Sequence, residues 1–259
     1  MESLNAASKL IELGLPHVIV IAAIFARISA LVFFLPGISE RMIPVRVKLG
    51  AAFAITAIVA PTMVFEQRPS PTLVNTAQFI AAEAITGALV GFSIRVGVFI
   101  VQTAGSIASQ SLSLTQIFGA SFDLQAETPI SALLMFTAIV LVVVSGLHFE
   151  VIGVLLRSFV IFPFGEFPGS IETGSWAAER VAYSFSAALA LALPFVTLGF
   201  VYNLAIGAAN RAMPQLMVAF VGIPAITLGG LVLLTIVAPT FLAVWMRLMD
   251  NILITLWST

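Results

Sequence analysis

The sequence predicts an all-α, polytopic integral membrane protein with about six to eight hydrophobic helical segments, kinked or broken helices and one irregular loop. Three observations carry this. Of 259 residues, 60% are hydrophobic and only 9% are charged, against roughly 25% charged in an ordinary soluble domain, so the charged side chains could not cover a water-facing surface. Apolar runs of about 20 residues, the length that crosses a bilayer, recur along the whole chain. Proline and glycine stand inside those runs, where neighbouring helices can satisfy the backbone groups they release.

The first run, Leu15 to Leu35, contains one charge, Arg27, and ends at Pro36-Gly37. The residues before it include Glu2, Lys9 and Glu12, which is not the positive start of a secretory signal, so the run is read as a retained span. A polar stretch from Ser39 to Lys48 follows. Its Arg41, Arg46 and Lys48 outweigh Glu40, which places it on the cytoplasmic side. Leu49 to Phe65 is the second run, bounded by Glu66, Arg68, Pro69 and Pro71. The third, Leu73 to Gln102, holds Glu83 and Arg95 and is long enough to be tilted or to extend beyond the hydrocarbon.

Residues 106–128 break the pattern. They are rich in Ser, Gln and Thr yet keep Ile107, Leu112, Leu114, Ile117, Phe118 and Phe122. Irregular polar backbone at membrane depth is tolerated only inside protein or along a watery cavity, which suggests a gate. A surface loop or an interfacial amphipathic helix fits the same residues equally well. Pro129 to Leu147 is the fourth run. Phe149 to Phe162 is a shorter piece, split by Arg157 and closed by Pro163. Ala177 to Ala209 and Leu216 to Trp245 complete the pattern, separated by Asn210, Arg211, Pro214 and Gln215. Pro194 in the first of these, and Gly222, Pro224, Gly229, Gly230 and Pro239 in the second, predict kinks or breaks. With no internal repeat and no composition shift, residues 1–259 read as a single helical membrane domain.

Composition argues against several function classes. A net charge of −1 leaves no basic face for nucleic acid. The absence of cysteine removes disulfides, thiolate metal sites and a cysteine nucleophile. His17 and His148 do not have the spacing of a zinc-binding pair, and Gly119-Ala-Ser121-Phe122 lacks the second glycine of a nucleophile elbow. No cofactor-binding pattern is present, so neither an enzyme nor a metalloprotein is expected.

Ionisable groups at membrane depth face a partner, a cavity or a pathway. For Arg27, Glu83 and Arg95 an ion pair is favoured over a proton relay, which needs several acidic or histidine groups in a chain. Glu83, Gly87, Gly91 and Arg95 recur every four residues, a stripe that lets another helix backbone come close.

Specific stretches also carry a family pattern: Phe25-Ala-Arg27 with Pro36, and then Ile38 through Gly50, which reads Ser-Glu-Arg-Met-Ile-Pro-Val-Arg-Val-Lys between Ile38 and Leu49. In the middle come Gly87-Ala-Leu-Val-Gly-Phe92, Thr103-Ala-Gly105, Gly146-Leu-His148, Ser158-Phe159 and Pro163. Leu193-Pro194, Asn203 to Gly207, Asn210-Arg211-Ala-Met-Pro214-Gln215-Leu216 and Gly222-Ile-Pro224 complete the set. In this order and spacing they resemble the FliR family of flagellar biosynthetic proteins, subunits of the type III export gate.

The resemblance implies a non-enzymatic subunit of a protein-conducting gate in the bacterial inner membrane, at the flagellar basal body. One such chain joins several copies each of two other small membrane subunits, meets other export-apparatus membrane proteins and passes unfolded protein substrates. It also implies a pore-plugging loop, assigned here to Ile107, Gln110, Ser111, Leu112, Ser113, Leu114, Gln116, Ile117, Phe118, Gly119 and Phe122. The family often shows Gly-Leu-Ser and an acidic-Pro turn in that loop; here equal spacing places Ser113-Leu114-Thr115, without Asp-Pro. Arg27, Glu83, Gly87, Gly91, Arg95, Arg211, Pro214 and Gln215 are assigned to helix packing and assembly. The Ser-Glu-Arg stretch favours the flagellar over the virulence branch of the fold family. A secondary transporter would share the broken helices and buried charges.

Overall fold

The structure is a computed structural model that describes residues 2–38, 43–63, 72–112, 129–212 and 218–255. These contain seven α-helices and no strand: α1 (Glu2–Phe34), α2 (Val45–Val59), α3 (Leu73–Ser111), α4 (Pro129–Val144), α5 (Leu147–Ile161), α6 (Ser170–Ala212) and α7 (Val218–Thr255). A 3-10 turn, Ala60–Thr62, closes α2. Five helices are long and apolar enough to cross a membrane, or up to six spans if α4 and α5 are taken as one broken span. The chain is an integral membrane protein.

Four boundaries differ from the sequence expectation. Helix α2 starts at Val45, directly after Pro44, so Arg46 and Lys48 belong to its first turn rather than to the preceding polar stretch. Proline is suited to this place, because its fixed φ is already extended and its missing donor is not needed there. Helix α3 stays helical to Ser111 rather than stopping near Gln102, and the hydroxyl of that last residue is satisfied within the helix, donating to the Ile107 carbonyl at 2.8 Å. Pro194 in α6 and Pro224 and Pro239 in α7 do not interrupt their helices. The expected break between the Pro129–Leu147 and Phe149–Phe162 pieces falls slightly earlier, at Ser145-Gly146 between α4 and α5, where Gly146 has φ +79°, a conformation that carries no Cβ penalty only in glycine.

The chain divides into two compact units. The first comprises residues 1–95, 146–177 and 252–259. In it α1 buries Ile19, Ala23, Ile24, Arg27, Ile28, Leu31 and Val32, positions recurring every three to four residues with their neighbours, the inward face of a helix. The second comprises residues 96–145 and 178–251, with Ile100, Ala104, Leu134, Ala192, Phe195 and Trp245 among its buried side chains. Here the Trp245 indole Nε1 donates to the Gly97 carbonyl at 2.9 Å, giving a large apolar side chain the partner its N–H needs when buried.

Candidate functional site

In the first unit, Arg27 comes from the C-terminal part of α1 and Glu83 from α3, and both side chains are fully buried. Arg27 Nε donates to Glu83 Oε2 at 2.6 Å and Nη2 donates to Oε1 at 2.9 Å, the two-pronged geometry a planar guanidinium offers a carboxylate. The remaining N–H groups turn to the end of α5. Nη1 donates to the Ser158 carbonyl at 2.9 Å and to the Ser158 hydroxyl at 3.3 Å, and Nη2 reaches the Phe162 carbonyl at 3.5 Å. The guanidinium carbon lies 4.1 Å from the centre of the Phe159 ring, within cation–π range.

Arg27 thus acts as a cationic cap on the C-terminal carbonyls of α5, where the helix dipole favours positive charge. Glu83 completes the arrangement from the other side. Its Oε1 accepts the Gly165 amide at 2.8 Å, fixing the turn that follows α5. Gly165 has φ +85°, and a Cβ there would run into the Phe79 ring. Phe79 and Phe164 meet edge to face at 4.8 Å. One ion pair therefore ties α1, α3, α5 and the turn after α5 into one centre, with every guanidinium N–H given an acceptor. Its members are closed in by protein, and the pair links α1, α3 and the end of α5.

The four-residue stripe beside Glu83 is a close-approach surface. A Cβ on Gly87 would overlap the Arg27 backbone, and one on Gly91 would lie 2.7 Å from Phe34 Cβ and 3.0 Å from the Leu31 carbonyl oxygen. Glycine at these two positions is what allows α1 to lie on α3 closely enough for the ion pair to form. Arg95, four residues on, is half-buried. Arg211 is exposed in the last turn of α6, where it complements the helix dipole.

In the second unit the end of α3 is held from three sides. Gly105 lets α4 approach, since a Cβ there would lie 2.6 Å from Ser131 Cα, and the Ser131 hydroxyl donates to the Gln102 carbonyl at 3.1 Å. On α6, a Cβ at Gly199 would overlap the Ser111 carbonyl oxygen; on α7, one at Gly230 would come within 2.5 Å of Leu112 Cδ1. Of the residues assigned to the plug, Ile107, Gln110 and Ser111 stand on the last turns of α3, and Leu112 lies just past its end, fully buried. Gln110 is exposed and donates to the Ser106 hydroxyl at 3.2 Å. Ser113, Leu114, Gln116, Ile117, Phe118, Gly119 and Phe122 lie outside the described residues, as do Pro214 and Gln215.

Reading the sequence did not single out Gly165, Gly199 or Ser131. The signal available for Gly199 was its place in a long apolar helix, where glycine costs about 1 kcal/mol relative to alanine and so asks for a packing reason.

Comparison with known proteins finds relatives over nearly the whole chain. Residues 18–252 match the family model described as bacterial export proteins, family 1. The chain is 32% identical to the flagellar biosynthetic protein FliR of Caulobacter vibrioides over 232 residues, covering 88% of this chain and 92% of that protein. It is 31% identical to the FliR of Escherichia coli, with 82% of each covered, and 26% identical to that of Bacillus subtilis, with 78% of this chain and 79% of the relative covered. The chain belongs to the FliR family of bacterial export proteins.

Proposed function

We propose that the chain is a subunit of the flagellar type III protein export gate in the bacterial inner membrane, where it helps form and seal a channel for unfolded flagellar proteins. The observation that carries this reading is the family match through residues 18–252. Helix length supports it. The apolar stretches of α3 and α6 hold 38 and 40 residues, which at 1.5 Å per residue come to about 57 and 60 Å, against a hydrocarbon core of about 30 Å. Helix α6 exposes Val181, Phe185, Leu189, Leu193, Phe200 and Leu204. Apolar surface that the bilayer is too thin to cover has to be covered by protein, and other membrane subunits of the export apparatus supply it, two small ones in several copies each.

Within this gate, residues from Ile107 to Phe122 form the plug. Leu112, Leu114, Ile117 and Phe118 give it apolar bulk, which excludes water and ions by packing and dewetting and yields when substrate arrives. The reading is tested by native mass spectrometry of the tagged chain, gently solubilised from its host's membranes. The expected result is one copy of the chain in a discrete complex with several copies of two small membrane proteins; a lone chain, under conditions that keep other membrane complexes intact, would refute it. For the plug, deleting residues 113–119 is expected to raise membrane conductance in cells that still assemble the complex. Unchanged conductance would remove that role.

A further inference from the structure

We infer that the outward face of α5, with Glu150 and Arg157 as its two charges, docks a helix of a neighbouring membrane subunit that carries a carboxylate opposite Arg157 and a basic group opposite Glu150. The inference rests on the reading above that other membrane subunits surround this chain, and it names the face and the chemistry one of them uses. The two residues stand seven apart in α5, two turns, so they share one side of the helix about 10 Å apart along its axis. Both are exposed, and among the described residues neither has an opposite charge or a hydrogen-bonding partner. The rest of the face is apolar. Phe149, Ile152, Leu156, Val160 and Ile161 are exposed, and Val160, at 84%, is the most exposed large apolar side chain among the described residues. Gly153, one turn from each charge, leaves the middle of the face flat, and a Cβ there would meet nothing within 4 Å.

Depth makes these charges costly. The apolar span of α1, Leu15–Phe34, has 20 residues, about 30 Å of helix and so the thickness of the hydrocarbon core. Arg27 lies seven residues before the end of that span, about 10 Å inside it, and holds the carbonyl of Ser158, the residue next to Arg157, at 2.9 Å. An ionised group at that level asks for a counter-charge. Lipid headgroups do not answer both residues, since an anionic surface that attracts Arg157 repels Glu150. The place of Glu150 in the first turn of α5 suits the helix dipole but supplies no cation. A helix bearing an acid and a base two turns apart answers both at once, and its apolar residues cover Phe149 and Val160.

The test places a photo-crosslinking amino acid at Val160 of the full chain in its host and maps the joined peptides by mass spectrometry in the native complex. The expected product joins position 160 to a helix of another membrane subunit, with an Asp or Glu within one turn of the joined residue. Arg157→Glu is expected to lower that yield about tenfold or more, and Arg157→Lys to lower it little. Replacing the partner's acid by arginine is expected to restore it in the Arg157→Glu background. Arg157→Gln, which removes the charge without reversing it, is expected to lower the yield less, and it decides if Arg157→Glu fails to accumulate. Products with lipid only, with a second copy of this chain or with a segment lacking an acid overturn the docking face, and so does a yield that Arg157→Gln leaves unchanged. A complete complex with any of those results refutes the face alone. A chain that native mass spectrometry finds by itself refutes the gate reading, and the face with it.

Discussion

Replacing Glu83 by alanine tests the buried centre most directly. The change removes both oxygens that Arg27 holds at 2.6 and 2.9 Å and the acceptor of the Gly165 amide at 2.8 Å. Arg27 keeps its contacts with Ser158 and Phe162, but those are neutral carbonyls, so its charge stays buried without a counter-charge. Breaking one side of a buried pair costs about 3–5 kcal/mol, and an orphaned buried amide about 1–3 kcal/mol. The two overlap, because the same carboxylate serves both. A total of about 4–6 kcal/mol lowers Tm by roughly 10 °C or more in a chain of this size. The assay heats the detergent-solubilised complex and follows the fraction that still elutes as one species. Glu83→Gln, which keeps one carbonyl oxygen, is expected to lose less. Exchanging the charges, Arg27→Glu with Glu83→Arg, is expected not to rescue, because a carboxylate at position 27 would face the Ser158 and Phe162 carbonyl oxygens. A Tm for Glu83→Ala within a degree or two of wild type would refute the reasoning, and so would recovery in the exchanged pair.

Four further outcomes are expected from the same heating assay. Gly87→Ala should cost about 1–3 kcal/mol, because its Cβ enters the Arg27 backbone. Gly50→Ala, where nothing lies within 4 Å, should be neutral or gain up to about 1 kcal/mol; equal effects at the two glycines would contradict the close approach of α1 to α3. Gly146→Ala should cost about 1–2 kcal/mol for the left-handed backbone at φ +79°, seen as a lower Tm. Trp245→Phe keeps most of the buried ring but gives up the bond to the Gly97 carbonyl. A loss of about 1 kcal/mol is expected, and an unchanged Tm would mean the indole N–H contributes nothing net.

Hydropathy located the spans because lipid imposes a single-residue rule: twenty apolar side chains in a row are visible without knowing what they touch. It misplaced the ends where local backbone chemistry decides, at Pro44 before α2 and in the serine-rich last turns of α3. It expected kinks or breaks at Pro194, Pro224 and Pro239, where the helices run on unbroken, and it placed the break between the fourth and fifth pieces about two residues later than Gly146. Arg27 shows a different boundary. Its charge inside a span announces a partner, but the partner stands 56 residues away and the capped carbonyl 131 residues away, and no periodicity connects them. The stripe Glu83, Gly87, Gly91 was legible because a four-residue repeat lies along one helix face. Gly199 and Gly230 belong to different helices, and only the fold brings both to the end of α3.

These differences follow from how helices associate when their surroundings are as apolar as they are. Burying a leucine against another helix gains little over burying it in lipid, so association depends on close van der Waals approach and on polar bonds that have no competitor. The first unit uses both on the same pair of helices. Gly87 and Gly91 let α1 settle on α3, and that approach brings Arg27 into reach of Glu83, so the glycines and the charges are one device and should fail together. In the second unit two neutral bonds, from the Ser131 hydroxyl and the Trp245 indole, reach α3 carbonyls, and glycine contacts bear on the end of α3 from three sides. An added methyl group on the first unit's stripe therefore acts by separating charges. In the second unit it acts by pushing the end of α3 away from α6 and α7.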